Sequence, residues 1–272
     1  PAGGMAFVNA ANDMTPKLLE FADLDSRGVT CVLYDGTAQA AERRAALSAA
    51  DAARPAVWSE DVRLDASGCP RFALCACGFD GMPEPVRVDC ALELRGMHNV
   101  SNACSAAAVG FAAGMEAAQV AEALSGAKPE AGRQEVIEAP GGFIVINDAY
   151  NANPDSMRAS LSTFAALEVS GRRIAVLGDM GELGSFAPQL HEEVGAFAAE
   201  CGLERLVCVG QLAQGIAAGA QKAGMPADRI AMVADGAAAL ADVREHVVSG
   251  SAVLVKASHF MALEKVVEGL VE

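Results

Sequence analysis

The sequence predicts an α/β fold in two parts: an α/β start finished by an antiparallel extension, then a mostly parallel sheet with helices on both faces. Three observations carry this. From Gly132 onward, short β-rich runs alternate with Ala-rich helical stretches, the pattern of strand–helix units that build a parallel sheet. Before Gly132 the alternation starts in the same way and then gives way to a hairpin-like region. The 272 residues are 52% hydrophobic and 20% charged, which supports a packed core and excludes a disordered chain. At about 150 residues per domain, this length suits one or two domains.

In the first part the expected elements are strand Met5–Asn9, helix Pro16–Phe21, strand Thr30–Tyr34, helix Ala38–Ala53 and strand Ala56–Trp58. The hairpin-like region follows with Arg63–Asp65, Arg71–Cys77 and Val86–Leu94, and then helices Val100–Ala113 and Met115–Leu124. Lys128–Gly132 reads as the boundary, because Lys-Pro and Ala-Gly-Arg end a helix there; the domains are expected at 1–131 and 132–272. The second part has strands Phe143–Asn147, Arg173–Leu177, Arg205–Val209, Arg229–Val233 and Ala252–Val255. Helices Asp155–Leu167, Gln189–Cys201, Leu212–Ala223, Gly236–Val248 and His259–Val271 follow them, each bounded by Gly, Pro or Asp.

Charge and cysteine content narrow the function. With 35 Asp+Glu against 20 Lys+Arg, the net charge is −15, spread evenly on both sides of Gly132, so no basic patch invites nucleic acid. The longest apolar run, Ala103–Met115, is shorter than the roughly 18–20 residues of a membrane span and reads as a buried helix. The chain opens at Pro1 with neither an initiator Met nor a signal-peptide pattern, so the expectation is a piece of a longer protein. Eight cysteines in a long, core-rich chain read as reduced small hydrophobes, which places the protein in the cytoplasm. Cys75-Ala-Cys77 is the only close pair and lacks the second ligand pair of a structural zinc site; no metal ligands are assigned.

Several phosphate and nucleophile motifs are missing. The sequence has no G-x-x-x-x-G-K-[ST], no G-x-G-x-x-G after a strand, no G-x-S-x-G and no H-E-x-x-H. Four polar clusters remain. Gly96-Met-His98-Asn99-Val-Ser-Asn102 places Asn99 and Asn102 three apart on a helix start, where their amides could meet a planar base edge; capping by Asn99 is the bland alternative. Strand 143–147 runs into Asn147, Asp148, Tyr150, Asn151 and Asn153; capping explains Asn153 or Asp155, but not Asp148 or Asn151. Leu177-Gly-Asp179-Met180-Gly-Glu182-Leu-Gly184 carries two carboxylates on a Gly-rich loop, for which a solvated turn is the alternative. Val253-Leu-Val-Lys256-Ala-Ser258-His259 delivers a cation for a carboxylate or phosphate, unless Lys256 simply reaches solvent. Three of the four clusters leave strands of one expected sheet on its carboxyl side, where ligands of open α/β sheets bind.

These residues resemble the Mur ligase family, the ATP-dependent amide-forming enzymes of peptidoglycan precursor synthesis. The resemblance rests on Gly96-x-His98-Asn99-x-x-Asn102, Gly132-Arg133, Asp148-Ala-Tyr-Asn-Ala-Asn-Pro-Asp-Ser-Met157, Leu177–Gly184 with His191 downstream, and Val255-Lys-Ala-Ser258. It implies the latter half of a central ATPase-type α/β domain, with Met5–Asp13 inside it, followed by a complete Rossmann-like C-terminal domain. It further implies the branch that joins D-alanyl-D-alanine to UDP-N-acetylmuramoyl-tripeptide, a monomer with those two partners and with ATP and Mg2+ as cofactors. The P-loop and most magnesium ligands lie upstream in the family, so the chain alone is expected to be inactive.

The family pattern also implies residue roles. ATP would be bound by His98, Asn99, Asn102, Arg133, Asp148, Tyr150 and Asn151, with Asn99 and Asn102 at the adenine and Arg133 and Asp148 toward the ribose and phosphates. Asn153, Asp179, Met180, Glu182, Lys256 and Ser258 would face the acceptor and the acyl intermediate, with Asp148 and Lys256 catalytic. In the implied reaction, the tripeptide carboxylate takes the ATP γ-phosphate and the dipeptide amine then displaces phosphate. The family usually reads Lys-Gly-Ser-Arg where this chain has Lys256-Ala-Ser-His259, and histidine does not reproduce the bidentate fork of arginine. Two other readings stay open: a stand-alone nucleotide- or peptide-binding module, and another amide ligase of the superfamily.

Overall fold

A computed structural model describes residues 2–82 and 84–272; Pro1, at which the chain opens, lies outside them. The chain divides into two compact units, Pro1–Lys128 and Pro129–Glu272.

The first unit is built on a five-stranded sheet in the order β1-β2-β3-β4-β5. Strands β1 (Met5–Asn9), β2 (Thr30–Asp35) and β3 (Ala56–Leu64) are parallel, while β4 (Pro70–Cys77) and β5 (Val86–Ala91) form the antiparallel extension. Helix α1 (Thr15–Ala22) links β1 to β2, and the short helices α2 (Ala40–Ala45) and α3 (Ala49–Ala52) link β2 to β3. Leu19 and Leu47 from these links pack on Val8, Cys31, Leu33 and Ala56. On the opposite face α4 (His98–Ala112) buries Val100, Ala103, Cys104, Ala107 and Phe111, one helical stripe, against Val32, Val57, Phe72 and Leu74. Helix α5 (Ala117–Ser125) completes this layer through Val120.

The single helix expected over 38–53 is instead two. Ser48 leaves helical geometry at ψ 156° and its hydroxyl accepts the Asp51 N–H, so a side chain competing for the backbone restarts the helix. The separate strand expected at 63–65 is the far end of β3, which continues through a bulge between Glu60 and Arg63 where Asp61 takes φ 53°.

The second unit holds a six-stranded sheet in the order β10-β9-β8-β11-β7-β6. Its parallel strands are β7 (Phe143–Asp148), β8 (Arg173–Gly178), β9 (Arg205–Val209), β10 (Ile230–Val233) and β11 (Ala252–Lys256). The edge strand β6 (Glu135–Ala139) pairs antiparallel with β7 and was absent from the expected elements. Its signal is the Pro140-Gly141-Gly142 turn, which marks a hairpin. The last expected helix also divides. His259–Met261 is a 3-10 turn, Ala262 breaks it at φ 51°, and α10 (Glu264–Val271) follows. Arg229 likewise belongs to a 3-10 turn before β10.

Strand residues alternate cleanly between the two faces. Ala175, Leu177, Leu206, Cys208 and Leu254 meet α6 (Pro154–Ala165), α7 (Ala187–Ala199) and α8 (Ala213–Lys222). Ile174, Val176, Val207, Val253 and Val255 meet α9 (Gly236–His246) and α10. Right-handed crossovers explain the division. From β7 to β10 the chain moves in one direction across the sheet and its helices fall on one face; the return from β10 to β11 reverses direction and puts α9 on the other. Strand β11 therefore lies between β7 and β8 at the point where the winding switches.

Helices α7 and α8 meet backbone to backbone. A Cβ at Gly195 would fall 1.9 Å from the Ile216 carbonyl oxygen, and one at Gly219 equally close to that of Glu192. We expect Gly195→Ala to destabilise the second unit by about 1–3 kcal/mol through overpacking, read as a lower denaturant midpoint with unchanged slope.

All eight cysteines are free; seven are buried and Cys77 is half-buried. Burial pushes the thiols of Cys90 and Cys201 up to about 11, and those of Cys75 and Cys208 up to about 12, from an ordinary 9.0. Their folded values lie above the unfolded one, so their contribution is fully present below pH 9 and is lost as pH climbs toward 11–12. Denaturant midpoints measured across that interval should fall steadily, and Cys208→Ala should flatten the fall; a flat wild-type profile would contradict the assignment.

Candidate functional site

The final residues of β11 and β7, Lys256 and Asp148, stand opposite each other in the parallel register. Both are buried, and the Lys256 ammonium contacts the Asp148 carboxylate at 2.9 Å. It also donates to the carbonyl oxygen of Asn151 at 2.8 Å. Burial is the main influence on Lys256 and pulls it below the ordinary 10.5; the Asp148 charge and hydrogen bond oppose this, and the nearby Arg133 cation adds to it. Of the two residues that capping left unexplained, this lysine accounts for the Asp148 side chain; Asn151 meets it only through its backbone carbonyl, and its side-chain oxygen accepts the Ala152 N–H at 2.8 Å.

Two residues further on, Ser258 ties three loops together. Its hydroxyl accepts the Gly181 N–H at 2.9 Å and donates to the Ala152 carbonyl at 3.3 Å, while its own N–H reaches the Asp179 carbonyl at 3.1 Å. The loop after β8 is anchored from below by His191, which is fully buried. His191 Nε2 accepts the Met180 N–H at 2.9 Å, which leaves the ring proton on Nδ1 for the Ala187 carbonyl at 2.7 Å. The Asp179 carboxylate accepts the Ala213 N–H at 2.7 Å in the first turn of α8, a favourable place for an anion. The Met180 side chain is enclosed in the core beside Leu177 and Met157, so only its backbone belongs to the loop surface. Glu182 is exposed and takes φ 62°. Asn153 caps α6, accepting the Ser156 N–H at 2.8 Å while the Ser156 hydroxyl accepts the Asn153 N–H.

A cationic, aromatic rim borders this group. The Arg133 guanidinium lies 4.3 Å above the Tyr150 ring, and the Tyr150 and His259 rings are 5.6 Å apart at 35°. Tyr150 is held by its N–H to the Gly132 carbonyl at 3.1 Å and remains half exposed. Arg133 also forms an exposed ion pair with Glu130 at 3.4 Å, too solvated to neutralise it for a ligand.

In the first unit, His98, Asn99 and Asn102 occupy the first turns of α4. Met97 holds the cap position, so Asn99 does not cap the helix. Its amide donates to the Arg95 carbonyl at 2.8 Å and accepts from Asn102 at 3.1 Å. Sequence reasoning passed over the loop beside it. At Gly36 a Cβ would sit 2.3 Å from the Ser101 nitrogen, so a glycine is what lets the carboxyl end of β2 touch α4. There Asp35 is buried, accepts from Thr37 N–H and hydroxyl at 2.9 and 2.8 Å, and pairs with Arg43 at 3.2 Å. The available signal was Asp-Gly-Thr directly after a strand.

Among the described residues no group of three or more His, Cys, Asp or Glu side chains could hold a metal ion, and no helix is long and apolar enough to cross a membrane.

A switch-point strand that buries a lysine–aspartate pair and ties down a glycine-rich loop through Ser258, beside a cationic aromatic rim, defines an α/β domain whose polar chemistry is gathered at the carboxyl edge of its sheet. Residues 132–259 match the family model described as Mur ligase, glutamate ligase domain. The chain belongs to the Mur ligase family. It is 40% identical over 233 residues to the UDP-N-acetylmuramoyl-tripeptide–D-alanyl-D-alanine ligase of Mycobacterium tuberculosis, covering 79% of this chain and 44% of that protein. The crystal structure of MurF from Acinetobacter baumannii superimposes with a TM-score of 0.76 at 26% identity, over 98% of this chain and 51% of that one. A MurF ligase from Thermotoga maritima in complex with ADP shares the fold, with a TM-score of 0.65 at 20% identity over 98% of this chain and 52% of that one. The chain thus spans about half the length of the relatives it matches.

Removing either partner of the Lys256–Asp148 pair strands a buried charge. Lys256→Met and Asp148→Asn should each cost about 3–5 kcal/mol in chemical denaturation, and the double variant much less than their sum; additive losses would show that the two do not interact.

Proposed function

We propose that this chain is part of an ATP-dependent ligase that joins D-alanyl-D-alanine to UDP-N-acetylmuramoyl-tripeptide through an acyl phosphate. In this reading residues 1–131 belong to the central ATP-binding domain and 132–272 form the domain that receives the acceptor. The observation that carries the reading is the carboxyl edge of the second sheet. There Lys256, Asp148 and Ser258 draw three loops together beside the exposed Arg133 guanidinium. Support also comes from the names of the relatives and from the ADP held by the Thermotoga protein.

The residues suit an anionic nucleotide in part. Arg133, spread on Tyr150, offers an accessible cation for ribose–phosphate oxygens. Lys256 is largely neutralised by Asp148, and two of its three ammonium donors already have partners among the described residues, which leaves one for a phosphate or acyl oxygen. Its task is to present a single fixed donor, with Asp148 setting its direction. The Asn99–Asn102 amide pair suits a base edge. Among the described residues no group of three or more His, Cys, Asp or Glu side chains could hold magnesium, so in this reading its ligands lie in the rest of the enzyme. A cytoplasmic monomer completes the proposal.

Phosphate release measured with ATP, the UDP-linked tripeptide and D-alanyl-D-alanine tests it. The full-length ligase containing this chain should turn over only when all three are present, and the 272 residues alone should not. Turnover with glutamate in place of the dipeptide would point to another amide ligase, and turnover by the isolated chain would refute its dependence on a further segment.

A further inference from the structure

Four large apolar side chains that the first unit leaves exposed belong to β1 and α1 with its N-cap: Met5, Met14, Leu18 and Phe21. Met14 at the N-cap, then Leu18 and Phe21 within the helix, follow at spacings of four and three and so form one stripe along α1; Phe21 is 92% exposed. Another side of the helix is already in use, since Leu19 packs against the cluster of Val8, Cys31 and Leu33. The stripe is thus a second apolar face. Thr15 fixes it beside β1: its hydroxyl donates to the Asn9 carbonyl at 2.6 Å and ties the first turn of α1 to the end of the strand. Between strand and helix lies a groove of about 490 Å3, and of the residues that line it Lys17 alone is charged.

The strand on the other side of this groove is open as well. Among the described residues β1 pairs with β2 alone. The Gly4 carbonyl and the Ala10 N–H bond toward β2, so by alternation Ala6 and Val8 face β2 too, and the N–H and C=O groups of Met5 and Phe7 point to the free side. Free edges are ordinarily blunted by charge, proline or a bulge. The opposite edge of the same sheet follows that rule, because β5 exposes Arg87 and Asp89. Strand β1 reads Met-Ala-Phe-Val-Asn and carries neither a charge nor a proline. An unblunted edge and an apolar helix face, side by side, are what a sheet shows where its next strand and helix belong.

We infer that the free edge of β1 and the Met14–Leu18–Phe21 stripe form one docking surface for another segment of the same polypeptide, which adds a strand beside β1 and lays an apolar helix face on the stripe. Two observations favour that occupant. The chain spans about half the length of the relatives it matches, and β1, β2 and β3 run parallel, the arrangement in which neighbouring strands are joined by crossovers of a single chain. The inference rests on the reading of these residues as part of a longer ligase, and it is independent of the reaction assigned to that ligase.

Hydrogen exchange, read amide by amide in the full-length ligase containing this chain, tests it. Ala6 and Val8, bonded to β2, should exchange slowly, and Met5 and Phe7 should be slowed as well, by ~100-fold or more relative to a free peptide. Free-peptide rates at Met5 and Phe7 beside protected Ala6 and Val8 overturn the inference. Protection of Met5 and Phe7 that appears only as protein concentration rises also overturns it, since a second copy would then be the occupant. In the variant carrying Leu18→Asp and Phe21→Asp, exchange at Met5 and Phe7 should quicken ~10-fold or more, and Phe21→Leu should leave it near wild type. Unchanged rates in the charged variant mean that nothing covers the stripe and overturn the inference. Phosphate release on the same samples separates the two readings. Protected amides in an enzyme that ignores the dipeptide keep the docking surface and remove the assigned reaction; open amides in an active ligase do the reverse.

Discussion

Lys256 brings an ammonium group to the end of a strand that is buried on both sides, where water cannot solvate it. Asp148 is what makes that position tenable. An isolated buried charge of this kind costs several kcal/mol even after relaxation, so the two strand ends must stay in register for the pair to persist. Much of the site's geometry follows from this. The register sets where β7 ends, that end sets the Asn151 carbonyl under the ammonium, and the turn at Asn151 leads directly into the capped start of α6. Ser258, two residues along the same strand exit, then fixes the loop after β8 by the same means, a short side chain reaching backbone groups of its neighbours.

The winding of the chain decides that these groups meet. Because β11 is inserted last between β7 and β8, its exit has a loop from an earlier strand on each side, and those loops lead to helices on the opposite face from α10. A crevice at such a place needs no special sequence; it is a product of right-handed crossovers and a reversal of direction. What this sequence adds is polar chemistry at that edge and mostly hydrophobic side chains along the rest of the same strands.

Acidity shapes how that chemistry is used. In the proposed ligase, a chain of net charge −15 would repel nucleotide polyanions, so attraction would come from individual placed cations. Arg133 keeps its charge available by lying on an aromatic ring with only a solvated carboxylate nearby. Lys256 is held tightly by Asp148, so in that reading it would serve as a positioned donor more than as a source of field.

The sequence by itself determined the fold class, all five of the second sheet's parallel strands to within a residue, and the polar clusters at their ends. Those strands are apolar on both faces and their helices are punctuated by Gly, Pro and Asp, signals that are local in the chain. Local signals were weaker where an element depends on a neighbour. Strand β6 exists because β7 offers it an edge, the helix at 38–53 breaks where the Ser48 hydroxyl competes for the backbone, and β3 is carried past Trp58 by pairing with β4. In the site, Asp148, Lys256 and Ser258 could be singled out as residues too polar for their surroundings. That Lys256 would be paired inside rather than reaching solvent, that Met180 would turn into the core, and that Asp179 would serve α8 were decided by tertiary structure. The physical reason is common to all three: burial and partnership depend on what lies across the sheet, and residues 108 apart in the chain, such as Asp148 and Lys256, become neighbours only when β11 closes between β7 and β8.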